Sequence, residues 1–111
     1  MSNILRAIGN TSIVRLRRVV PPGCADILVK LEWENPTGSM KDRMALAMVE
    51  AAQADGRLRP DGSVVEYTGG STGAALAFVC AVLGLEFTAV FSDAFSESKQ
   101  LAMEAFGAQV L

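Results

Sequence analysis

Two short stretches of the chain hold residue types that could do chemistry together. In the first, Glu34-Asn35-Pro36-Thr37-Gly38-Ser39-Met40-Lys41-Asp42-Arg43, a polar turn feeds a lysine into the first turn of a helix. The helix dipole and the unpaired backbone N–H groups there disfavour an ammonium ion, by a few tenths of a kcal/mol to roughly 1 kcal/mol at an exposed site. Lys41 gains nucleophilic amine character in that position, the more so if burial adds a desolvation cost. The alternative is a solvated lysine paired with Asp42 or Glu34, the ordinary state of a surface lysine.

The second stretch is Thr68-Gly69-Gly70-Ser71-Thr72-Gly73, between an apolar strand and an apolar helix. Backbone donors and the hydroxyls of Thr68, Ser71 and Thr72 converge there on a helix N-terminus, which attracts a carboxylate or phosphate. Its glycines let main chain approach a ligand closely. The alternative is a plain turn in which Ser71 or Thr72 caps the helix. G-x-G-x-x-G cannot be laid on these residues and no Gly-Lys-Ser/Thr ending follows, so nucleotide binding is a poor reading.

The elements that must position these stretches are legible from periodicity. Residues 13–16 and 27–31 are short β-branched runs separated by Pro21, Pro22 and Gly23, two strands and a turn. From Met40 a helical stripe of Met44, Ala47, Met48, Ala51 and Ala52 opposes Asp42, Arg43, Glu50 and Gln53, and Gly56 stops it. A strand over 63–67, a helix from the Gly-rich turn to about Leu83, and a strand over 86–91 follow. Ser96 is placed to cap a third helix with the stripe Leu101, Ala102, Ala105 and Phe106, and 108–111 begins another strand. Strands alternating with helices predict a parallel sheet with right-handed crossovers and helices covering both faces. The helix over 74–83 is apolar on every side and must be covered all round, which predicts further chain or a partner subunit. A strand ending the chain points the same way, to an unfinished sheet.

With 111 residues, half of them apolar and a fifth charged, the chain fits one modest domain that can bury a core. Ten basic against twelve acidic residues, scattered apart from Arg15, Arg17 and Arg18, give no electrostatic footprint for nucleic acid. Two cysteines, Cys24 and Cys80, and no histidine exclude Cys/His metal sites and imidazole triads. The cysteines read as reduced thiols of a cytoplasmic protein. The first residues lack a signal-peptide core, and the apolar run 74–85 falls short of the roughly 20 residues that span a bilayer.

Together the motifs resemble the cysteine synthase and cystathionine β-synthase family of pyridoxal-phosphate enzymes, with threonine dehydratases and tryptophan synthase β chains as more distant relatives. The likeness is carried by Ile8-Gly9-Asn10-Thr11-Ser12-Ile13-Val14-Arg15-Leu16, by residues 34–43, by residues 68–73, and by the helix over 96–107 with its Gly107-Ala108 ending. The resemblance implies a three-layer α/β fold, an open parallel sheet flanked by helices of the tryptophan synthase β-like type, here truncated. It implies that residues 1–33 pack on a large domain absent from this chain, and that 34–111 form part of a small domain. Lys41 is then the lysine that binds pyridoxal 5′-phosphate as a Schiff base. Thr68, Gly69, Gly70, Ser71 and Thr72 hold the substrate carboxylate, with Ser71 also toward the cofactor. In the family the position of Ser71 is usually Asn, hydrogen-bonded to the cofactor 3′-oxygen, and that of Gly69 is commonly Ser. The family's later phosphate loop and the residue facing the pyridine nitrogen do not lie within these residues.

The resemblance implies β-replacement on an O-activated serine, cysteine synthase-like, by a homodimer taking a small amino-acid substrate. The 111-residue piece alone is expected to be inactive. A serine or threonine dehydratase differs only in letting the eliminated product hydrolyse, and a non-catalytic amino-acid-binding or interaction module is the reading from another class. Trp33 and Tyr67 read as packing residues, Asp42 and Arg43 as a local ion pair or helix surface. Asp93 follows a strand at a position where parallel sheets meet ligands.

Overall fold

The computed structural model describes residues 3–92 and 94–111, so Asp93 lies outside the described residues. The strands β1 (Ile13–Arg15) and β2 (Leu28–Lys30) form an antiparallel pair with Val14 opposite Val29. After them come α1 (Lys41–Ala54), β3 (Ser63–Tyr67), α2 (Ser71–Leu83), β4 (Glu86–Val90), α3 (Glu97–Ala105) and β5 (Gln109–Val110). Short 3₁₀ turns at Ile4–Ala7 and Glu32–Glu34, unforeseen from periodicity, flank the first pair.

The strands β3, β4 and β5 form a parallel sheet in that order, with Val65 opposite Thr88 and Ala89 opposite Val110. This is the α/β class expected, a parallel sheet flanked by helices. Successive right-handed crossovers that step in one direction keep α2 and α3 on one face, and the two helices touch. Among the described residues the other face is open, with Val65 and Tyr67 about two-thirds exposed.

The core is centred on α2, where every residue from Gly73 to Cys80 is buried. The cover expected from further chain or a partner is supplied over this stretch by the chain itself. The helices α1 and α3 lie on either side, β4 beneath, and the Ile4–Ala7 turn adds Leu5. Fully burying Leu76, Phe78 and Val79 contributes about 1.5–3 kcal/mol each. Gly84 ends α2 in the left-handed region at φ 70°, where its N–H closes the last turn.

Two predicted stripes are corrected. In α1 the buried residues are Asp42, Ala45 and Val49, whereas Ala47, Met48 and Ala51 are exposed. The helix is apolar on most sides, so contact with α2 chose the face that periodicity alone left ambiguous. In α3 Met103 is the buried residue and Leu101 is 57% exposed, because α3 meets α2 through Met103, whose sulfur abuts Gly73. Ser96 stands at the cap position of α3 but its hydroxyl pairs with Ser98 Oγ at 3.0 Å and caps no N–H.

Both cysteines are free, Cys24 exposed and Cys80 buried. Burial pushes the Cys80 thiol up to about 11, so it is an unreactive packing group. Among the described residues no helix is long and apolar enough to cross a membrane. Truncating Leu76 to Ala in the complete gene product is expected to cost about 2–5 kcal/mol, read from the urea midpoint.

Candidate active site

Both candidate stretches lie at one edge of the sheet. The C-terminal end of α1 turns beside the starts of β3 and β4, where Gly56, Arg57, Ser63 and Glu86 line one cleft. The helix then runs back along β3, with Ala47, Met48, Val64 and Glu66 sharing a groove. The start of α1, with Lys41, therefore reaches the C-terminal edge of the sheet, where β3 passes into α2 through residues 68–70. Parallel sheets present ligand sites at that edge.

Lys41 is partly buried and lines an open cavity of about 410 Å³ with Glu32, Met40, Arg43 and Met44. Among the described residues no carboxylate lies within 4.0 Å of its amine. Pairing with Asp42 or Glu34 is therefore not what the chain adopts. Asp42 is fully buried and accepts from the Thr37 N–H at 2.8 Å and from the Thr37 hydroxyl. It locks the Asn35–Ser39 turn against the helix start. Asp42 is thus neither half of a local ion pair with Arg43 nor a helix-surface residue, which corrects that expectation for Asp42.

Arg43 instead pairs with Glu32, its Nε donating to Oε2 at 2.9 Å and its Nη2 to Oε1 at 3.0 Å. Such a two-pronged contact is geometrically fixed. Thr11 donates from its hydroxyl to Glu32 Oε1 at 2.9 Å and accepts from Arg43 Nη2 at 3.1 Å. Asn35, 3% exposed, donates to Glu32 Oε2 and accepts from the Gly9 N–H at 2.8 Å. Gly9 sits at φ +85°, and a Cβ there would stand 2.8 Å from Arg43 Nη1. The Ile8–Ser12 motif and the lysine-bearing turn are thus clamped into one unit. Glu32 was missed from sequence: it links residues 11 and 43, and no local spacing marks a tertiary contact.

The hydrogen bond from Arg43, with smaller ones from Thr11 and Asn35, holds the Glu32 carboxyl down at about 2 against an ordinary 4.5, while Arg43 is raised.

At the second stretch, Thr68 is buried and its N–H donates to Val90 O at 3.0 Å. Gly70 occupies the cap position of α2, and no side chain caps the helix. Ser71 and Thr72 are its first residues, not its caps, so the plain-turn alternative is not realised. The first N–H donors of α2 are left for a ligand, and a Cβ at Gly70 would meet nothing within 4 Å. Gly69 has different surroundings: a Cβ there would overlap the ring of Phe95.

An amine without a carboxylate partner and an uncapped helix start, both at one sheet edge, suit an aldehyde-bearing cofactor and an anionic substrate group. The family model for pyridoxal-phosphate dependent enzymes matches residues 4–111. The chain belongs to that family. A cysteine synthase of Staphylococcus aureus is 43% identical over 111 residues, which are all of this chain and 36% of that protein. The crystal structure of an O-ureido-L-serine synthase superposes with TM-score 0.93 at 42% identity, covering 100% of this chain and 35% of the other. O-acetyl serine sulfhydrylase isoform 3 of Entamoeba histolytica gives TM-score 0.92 at 39% identity, with 100% and 34% covered. The chain thus spans about a third of the length of these relatives.

A depressed carboxyl stabilises the fold above its unfolded value and loses that contribution as pH falls through the folded one. Wild type is therefore expected to exceed Glu32→Gln in stability above about pH 5, with the difference vanishing as pH falls from 4.5 to about 2. Urea melts of both proteins across that range check this.

Proposed function

We propose that these residues form the lysine-bearing and carboxylate-holding part of a cysteine synthase-like enzyme that replaces the β-substituent of an O-activated serine. The leading reaction is formation of cysteine from O-acetylserine and sulfide. The observation that carries the reading is the Lys41 amine, without a carboxylate partner among the described residues, at the same sheet edge as the uncapped start of α2. The cysteine synthase and O-acetyl serine sulfhydrylase relatives support it.

Lys41 is the residue that would hold pyridoxal 5′-phosphate through its aldehyde, with Ser71 beside it. When bound, that group supplies an electron sink for negative charge developing at the substrate Cα. The chain's own residues do the rest. The N–H groups and hydroxyls at residues 68–72 hold the substrate carboxylate, favoured by the α2 dipole. That grip turns the Cα–H bond toward Lys41. Lys41 Nζ, when it is not holding the cofactor, would accept the substrate Cα proton as general base. With the O-linked group leaving as acetate, hydrosulfide forming the new Cβ–S bond and the proton returning to Cα, the balance is O-acetylserine plus sulfide to cysteine plus acetate.

The start of α1 must not wander during this exchange. Asp42 on Thr37 and Arg43 on Glu32 fix it from both sides, so Lys41 moves by rotation of its own side chain. Residues 1–33 are proposed to pack on a larger domain and 34–111 to belong to the smaller one. We further propose a cytoplasmic setting, which suits the free Cys24 and Cys80, and a homodimer as in the family the sequence resembles.

The complete gene product supplied with pyridoxal phosphate is expected to show a visible absorbance band that Lys41→Ala abolishes. Activity should fall by roughly 10³-fold or more in that variant. Equal spectra for the two proteins would overturn the proposal.

A further inference from the structure

Gly69 has no positive φ among the glycines of the chain, so its backbone does not call for glycine. Space does. A Cβ at this position would overlap Cγ, Cδ2 and Cε2 of Phe95, whose ring abuts the first glycine of the loop. The ring is held in turn by Phe91, with centroids 5.6 Å apart at 51°, and by a backbone bond from the Phe95 N–H to Ser92 O at 3.0 Å. The far end of the loop is also closely packed, because a Cβ at Gly73 would overlap the sulfur of buried Met103. Between these two anchors, Gly70 faces open space.

We propose that Phe95 is a positioning residue for the substrate-carboxylate loop: its ring fills the volume of a side chain at position 69 and holds the main-chain donors of residues 69–72 in their binding arrangement. The inference rests on the reading of that loop as the carboxylate site. It adds that Gly69 and Phe95 form a matched pair, in which a side chain at one position is compatible only with a small residue at the other. A side chain at 69 displaces the ring and moves the loop. Removing the ring leaves the loop without support on that side. Making both changes removes the overlap, and the new side chain takes up the part of the vacated volume nearest the loop.

The test uses the complete gene product loaded with pyridoxal phosphate and L-alanine, which binds without a leaving group, as the probe in calorimetric titration. Gly69→Ser and Phe95→Ala are each expected to raise the L-alanine Kd by about tenfold, and the double variant to return within about threefold of wild type. Phe95→Leu, which keeps apolar cover, should stay within about threefold of wild type. In turnover, KM should rise with kcat nearly unchanged, as for a lost uniform binding interaction. Multiplying effects in the double variant would overturn the inference. So would a lowered Tm with unchanged Kd, the mark of a merely structural contact. Thr72→Val serves as the control on the loop itself: if it leaves the L-alanine Kd unchanged, the carboxylate-loop reading has failed, whereas weakened binding in Thr72→Val beside additive effects at 69 and 95 rejects the Phe95 inference alone.

Discussion

A helix that is apolar on every side has no face to leave in water, and α2 meets that demand by drawing the rest of the chain around it. From Gly73 to Cys80 it is sealed by α1, α3, β4 and the Ile4–Ala7 turn. The arrangement fixes more than stability. Because α2 leaves the C-terminal edge of β3, and α1 must lie alongside it to cover Ala75 and Leu76, the starts of both helices are brought to one edge. The candidate site is thus a geometric by-product of burying one helix. Small residues make the approach possible: Gly73 admits Met103, and Ala45 lets α1 come close.

Charge does the finer positioning. The buried Asp42 carboxylate is tolerable because Thr37 supplies two donors, and among the described residues no buried side-chain polar atom is left without a partner. The Glu32, Arg43, Thr11 and Asn35 network joins three separate segments of sequence around the start of α1. Within that framework Lys41 stands apart, with no carboxylate among the described residues within 4.0 Å of its amine.

Much of this was legible in the sequence, and the boundary between what was and was not is physical. The strand Ser63–Tyr67 and the end of α2 at Leu83 lie where local signals place them, between Gly62 and the Gly-rich turn in one case and before Gly84 in the other. The lysine turn and the Gly-rich loop are contiguous motifs, so residue types and spacing suffice to find them. The buried faces of α1 and α3 were misjudged because both helices carry apolar residues on several sides, and tertiary contact decides among them. Glu32 and Phe95 were not visible at all. Each acts on a partner 11 or more residues away, and only the folded chain brings Glu32 to Arg43 or Phe95 over Gly69.

The central claim is that one amine, that of Lys41, is the attachment point of the cofactor. Borohydride reduction of the complete gene product loaded with pyridoxal phosphate, followed by peptide mapping, tests it most directly. The account predicts a stable pyridoxyl label on the peptide containing Lys41 and on no other lysine. A label confined to Lys30, Lys99 or another position, or no label at all, would contradict it.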